Sequence, residues 1–165
     1  MALTLARFVP VHRRSYNTGY GNVPPVRSAN LLNGHPVWTL GANGVLLTLG
    51  DEMPDHYTGQ QARVSIFWTV PTGVAGNVNF GIQFERAQAG VTNLTSAFPP
   101  WSALFTVLQA APTPKILQRL DSGLLSNANL QSVASKETFR IQISRQGGTT
   151  IVGDAYVLGV EFWIP

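Results

Sequence analysis

Four stretches of the chain alternate apolar residues with others at a period of two. Val64, Ile66, Trp68 and Val70 interleave with Arg63, Ser65, Phe67 and Thr69. Val78, Phe80, Ile82 and Phe84 interleave with Asn77, Asn79, Gly81, Gln83 and Glu85. Phe139, Ile141 and Ile143 interleave with Arg140, Gln142 and Ser144. Tyr156, Leu158, Val160, Phe162 and Ile164 interleave with Val157, Gly159, Glu161 and Trp163. Successive side chains of a β-strand point to opposite faces, so each stretch reads as a strand with one set turned to a core. The other set faces water or a partner, and Glu85 and Glu161 fall in it, where a charge is expected.

Weaker strand candidates lie at 36–40, 44–49, 103–109 and 115–121. Turn-forming groups separate them: Gly41-Ala42-Asn43-Gly44, Pro71-Thr72-Gly73, Pro99-Pro100, Pro112-Thr113-Pro114 and Gln146-Gly147-Gly148. About eight strands at this spacing predict an all-β domain, an antiparallel jelly-roll β-sandwich spanning residues 34–165. The stretch 126–136 predicts one or two turns of helix-like chain, capped by Ser126 and seated by Leu130 with Val133 or Ala134. The last strand runs to Pro165 and is expected to be paired inside a sheet. No internal repeat is visible.

Residues 1–33 read differently. Pro10, Gly19, Gly21 and Pro24-Pro25 break regular structure, which predicts an extended, irregular N-terminal arm. The arm also carries Phe8, Val9, Val11, Tyr16, Tyr20, Val23 and Val26, unlike a disordered tail, so it is expected to lie on a surface. It is basic: residues 1–50 hold Arg7, Arg13, Arg14 and Arg27 and no acid, which places the net charge of +3 there. These arginines are too few and too dispersed for a nucleic-acid tail.

Only 12% of the 165 residues are charged, about half the usual share, so the surface is largely neutral. Such a surface suits packing against copies of the chain or a partner. With no cysteine there is neither a disulfide framework nor a thiol nucleophile. No apolar run is long enough to span a membrane, and the first residues lack the form of a secretory signal.

Catalytic and metal motifs are missing. His12, His35 and His56 are scattered, and no HxH, HExxH, Gly-x-Ser-x-Gly or phosphate-binding glycine loop occurs. The sequence therefore predicts no enzyme and no cofactor. Asp51, Glu52 and Asp55, beside His56, are the one group that could offer oxygens to a hard cation; the alternative is a solvated loop between strands. Trp68 falls in the inward set and is expected in the core. Trp163 falls in the outward set, and Trp101 lies near a strand start. Exposed aromatics of this kind stack on sugars or on bases or enter a partner's pocket, which makes Trp101 and Trp163 the candidate ligand-stacking residues; the alternative is that they cap the ends of the core.

The stretches Met53-Pro54-Asp55-His56-Tyr57-Thr58-Gly59, 64–69, 76–86, 139–145 and 153–162 together resemble small jelly-roll structural proteins of tailed bacteriophages. The likeness covers residues 36–164 and leaves the arm out. It implies a capsid cement (decoration) protein on the outer surface of the virion, made in the host cytoplasm. It further implies a homotrimer bound to the major capsid protein, without nucleic acid or membrane. On that reading Arg7, Phe8, Val9, Arg13, Arg14, Tyr16 and Tyr20 of the arm are the candidate partner contacts. Similar sandwiches in phage tail fibres and tail tips give the alternative, a receptor-binding module that recognises carbohydrate.

Overall fold

The alternating stretches are strands. A computed structural model describes residues 2–8, 37–40, 46–70, 76–90, 116–146, 151 and 153–165. Eight strands occur among them: β1 (Leu3–Phe8), β2 (Trp38–Leu40), β3 (Leu46–Glu52), β4 (Arg63–Thr69), β5 (Phe80–Ala87), β6 (Gln118–Asp121), β7 (Thr138–Arg145) and β8 (Ala155–Ile164). The predicted strand at 103–109 lies outside the described residues.

The strands form two antiparallel sheets. One has the order β1-β8-β4-β6, with β2 also on β8; the other has the order β3-β7-β5. From β2 to β5, and again from β6 to β8, successive strands switch sheets. The orders 2-8-4-6 and 3-7-5 are the interleaving of a jelly roll. Strand β8 is central, with β4 on one side and β1 and β2 on the other.

The inward sets of the two sheets meet in one core. Trp68 of β4 sits edge-on to Phe80 of β5 at 5.4 Å between ring centroids. Phe162 of β8 packs on Phe84 of β5 at 5.9 Å and on Phe139 of β7 at 5.5 Å. Aromatic pairs at these separations add to the burial of the rings themselves, roughly 1.5–3 kcal/mol for each large apolar side chain. Val64, Ile66, Val78, Ile82, Ile141 and Ile143 are buried as the alternation predicts.

Strand β8 departs from that pattern at its start. Val160 and Phe162 are buried as expected, but Ala155 and Val157 are buried in place of Tyr156 and Leu158. The reason is a bulge: Phe67 pairs with Gly159 while Trp68 pairs with Val157, which leaves Leu158 as an extra residue. One inserted residue exchanges the two faces of the strand on either side of it.

The expected irregular arm is corrected at its beginning. Leu3–Phe8 is strand β1, laddered to the second half of β8 from Leu3 opposite Ile164 to Phe8 opposite Val160. Leu5, Ala6 and Phe8 are buried, so this segment belongs to the sandwich. The Pro and Gly residues behind the arm reading all come after Phe8, and they say nothing about the six residues of β1.

Glu85 is also corrected. It is not a solvated outward charge: Glu85 and its cross-strand partner Arg140 are both buried and form a salt bridge and hydrogen bond. A carboxylate in such a place is tolerated because a guanidinium faces it. The stretch 126–136 has the expected turns and no helix. Ser126 is tied to Asn129, and Leu130 and Val133 are buried while Ala134 is exposed.

Candidate functional site

The outer face of the five-stranded sheet carries a mixed aromatic and charged cluster. Cross-strand partners in an antiparallel pair place their side chains on the same face. Arg63 of β4 stands opposite Trp163 of β8, which in turn stands opposite Thr4 of β1. Ser65 stands between Glu161 of β8 and Asp121 of β6, and Phe67 is opposite Arg119 of β6. The outward parity of β4, β6 and the second half of β8 thus brings two aromatic rings, two arginines and two carboxylates together.

Ser65 organises the centre. Its hydroxyl donates to Asp121 Oδ1 at 2.6 Å and accepts from Trp163 Nε1 at 2.7 Å and from Arg119 Nη2 at 3.2 Å. A hydroxyl has one proton and two lone pairs, so the group is fully used. Ser65 is itself completely buried although it lies on the outward face. Trp163 and Phe67 are half-buried, so part of each ring reaches solvent.

Arg119 ties the cluster together from above. Its Nε donates to Asp121 Oδ1 at 2.7 Å, and its guanidinium carbon lies 5.8 Å from the centre of Phe67 and 5.3 Å from that of Trp163. At such distances a guanidinium is attracted to the ring faces. Burial works to raise the Asp121 pKa. The Ser65 hydroxyl and the hydrogen-bonded Arg119 outweigh it, with a further contribution from the Arg63 charge, and hold the group below the usual carboxylate range. Asp121 is therefore ionised at neutral pH. At the flank, Thr4 Oγ1 donates to Glu161 Oε1 at 2.9 Å.

Of the two candidate stacking residues, Trp163 lies in this cluster and Trp101 falls outside the described residues. Trp68 and Trp38 are buried. Among the arm candidates, Arg7 is exposed on β1 opposite Glu161. Phe8 is a core residue of the sandwich, which corrects its candidacy as an exposed contact. Val9, Arg13, Arg14, Tyr16 and Tyr20 lie outside the described residues. Asp51 and Glu52 end strand β3, where a loop was expected, and the carboxylates of 51–55 do not converge. Asp51 accepts the backbone N–H of Glu52, and Asp55 pairs with Lys136 at 3.4 Å on the surface. No group of three His, Cys, Asp or Glu side chains able to hold a metal ion occurs among the described residues.

Sequence reasoning singled out Trp163 but missed Ser65, Phe67, Arg119 and Asp121 as its neighbours. The parity of 63, 65 and 67 marked one shared face. That β6 lies beside β4 had no local signal.

No family model matches the sequence, and no curated protein matches it. Solved structures do. A family 115 4-O-methyl-α-glucuronidase with specificity for decorated arabinogalactans is similar at 9% identity and a TM-score of 0.50, covering 96% of this chain and 17% of that one. The isomalto-dextranase of Arthrobacter globiformis complexed with panose is similar at 12% identity and a TM-score of 0.47, over 78% of this chain and 19% of that one. A family 61 carbohydrate-binding module in complex with β-1,4-galactotriose is similar at 11% identity and a TM-score of 0.39, over 84% and 79%. The chain spans under a fifth of the length of the two hydrolases. At 9% identity what the chain shares with the glucuronidase is the fold, a β-sandwich.

Proposed function

We propose that the chain is a carbohydrate-binding β-sandwich whose binding surface is the outer face of the five-stranded sheet. The observation that carries this reading is Trp163: a half-exposed indole whose N–H is anchored on a buried serine, beside a second half-exposed ring, Phe67. The C–H faces of a sugar pack against such rings, and its hydroxyls need donors and acceptors at the rim. Arg119 has five N–H groups, of which one meets Asp121 and one meets Ser65, so three remain for a ligand. Asp121 and Glu161 supply acceptors. The fold is shared with a glucuronidase that acts on decorated arabinogalactans, which fits the reading. The phage resemblance adds a setting, a receptor-binding module of a tail fibre or tail tip. The role is recognition, without catalysis.

The test is binding of the full chain to an array of neutral and acidic glycans, followed by Trp163→Ala. The expected result is binding that falls at least about tenfold in the variant, the loss of one aromatic stack. Unchanged binding by a variant that still melts cooperatively would remove this face from the account.

A second reading, the capsid cement protein, is supported by the low share of charged residues and the acid-free first fifty positions. It places a homotrimer on the major capsid protein at the virion surface. Copy number per particle separates the two: hundreds of copies mean lattice cement, and a handful mean a tail module.

A further inference from the structure

Arg63 is the member of the outward face that the hydrogen-bonded cluster does not use. It makes no ion pair or hydrogen bond among the described residues, and its Nε is buried without a partner. On one side it stands directly opposite Trp163. On the other side the chain makes room. Ser65 pairs with Asp121, and Ala62 pairs with Leu125. Three steps on β4 therefore face four steps on the other chain, and the extra residue falls at Gly123-Leu124, opposite Arg63. Both are exposed, and nothing lies within 4 Å of where a side chain on Gly123 would begin. A half-buried cation thus borders an open notch on one flank and an indole on the other.

No carboxylate forms an ion pair with Arg63 among the described residues. Asp121 feels the Arg63 charge, but its Oδ1 already accepts from Ser65 and Arg119. Glu161 accepts from Thr4.

Resting on the carbohydrate reading above, we infer that the preferred ligand is a carboxylated sugar, a uronate or a sialate, whose carboxylate docks on Arg63 while its ring lies against Trp163. A planar guanidinium matches a carboxylate through two parallel N–H···O bonds, stronger than bonds to a neutral hydroxyl. Directly opposed residues on neighbouring strands hold their Cβ atoms about 4.5–5.5 Å apart, so one sugar residue spans the ring and the charge. The Gly123 notch leaves space for the carboxylate and its water.

The experiment compares carboxylated glycans with their methyl esters, which keep the shape and remove the charge. The expected result for the full chain is binding of the acid about tenfold tighter than the ester. Arg63→Gln is expected to abolish that difference by weakening the acid about tenfold more than the ester, and Arg63→Lys to keep part of it. Three results overturn the inference and leave the carbohydrate reading standing. These are equal binding of acid and ester by the natural chain, an undiminished preference in Arg63→Gln, and equal weakening of acid and ester in Arg63→Gln. Absence of binding to any glycan, neutral or acidic, would overturn the carbohydrate reading and this inference with it.

Discussion

Ser65 shows how a small polar residue can decide the shape of a surface. All three of its hydrogen-bonding positions are taken, by Trp163, Arg119 and Asp121, and it is fully buried beneath them. Its removal leaves a half-buried indole N–H without an acceptor and takes one donor from Asp121. Ser65→Ala is therefore expected to cost about 1–3 kcal/mol, measured by urea unfolding, and to loosen Trp163 so that its fluorescence shifts toward that of an exposed indole. Glu85 makes the same point inside the fold. Its place in an outward set suggested solvent, but the opposing Arg140 makes a buried pair of it. Alternation tells which way a side chain points. It does not tell what lies above it.

At the scale of elements, the strands were legible where the pairing is regular. The faces of β4, β5 and β7 follow directly from their alternation, because none of these three strands carries an inserted residue. The first half of β8 was misread because Leu158 is a bulge, and a bulge depends on the neighbouring strand, not on local pattern. Strand β1 was missed because proline and glycine farther along 1–33 dominated the reading of the whole segment. It contributes Leu5, Ala6 and Phe8 to the core and an edge to β8. Deleting residues 1–8 is accordingly expected to destabilise the sandwich by several kcal/mol, since burying Leu5 and Phe8 alone is worth roughly 3–6 kcal/mol. Thermal melting checks this. A dispensable arm would leave the midpoint where it was.

For the whole molecule, the jelly roll accounts for why the site exists where it does. Strands from three distant parts of the chain, β4, β6 and β8, become neighbours only because successive strands alternate between sheets. The candidate site was legible as a single residue, Trp163, since parity alone put it outside. Its partners depend on the pairing of Ser65 with Asp121, fifty-six positions apart, and no local pattern encodes that. The neutral composition fits both proposed settings, a sugar-binding module and a packed virion subunit. What distinguishes them is whether the outer face of the five-stranded sheet meets sugar. The most direct measurement follows the indole N–H resonances of the four tryptophans during titration with a glycan that the full chain binds. The account predicts that the Trp163 signal moves with saturating dependence while the buried Trp68 and Trp38 signals stay in place. A glycan that binds and leaves the Trp163 signal unmoved would contradict it.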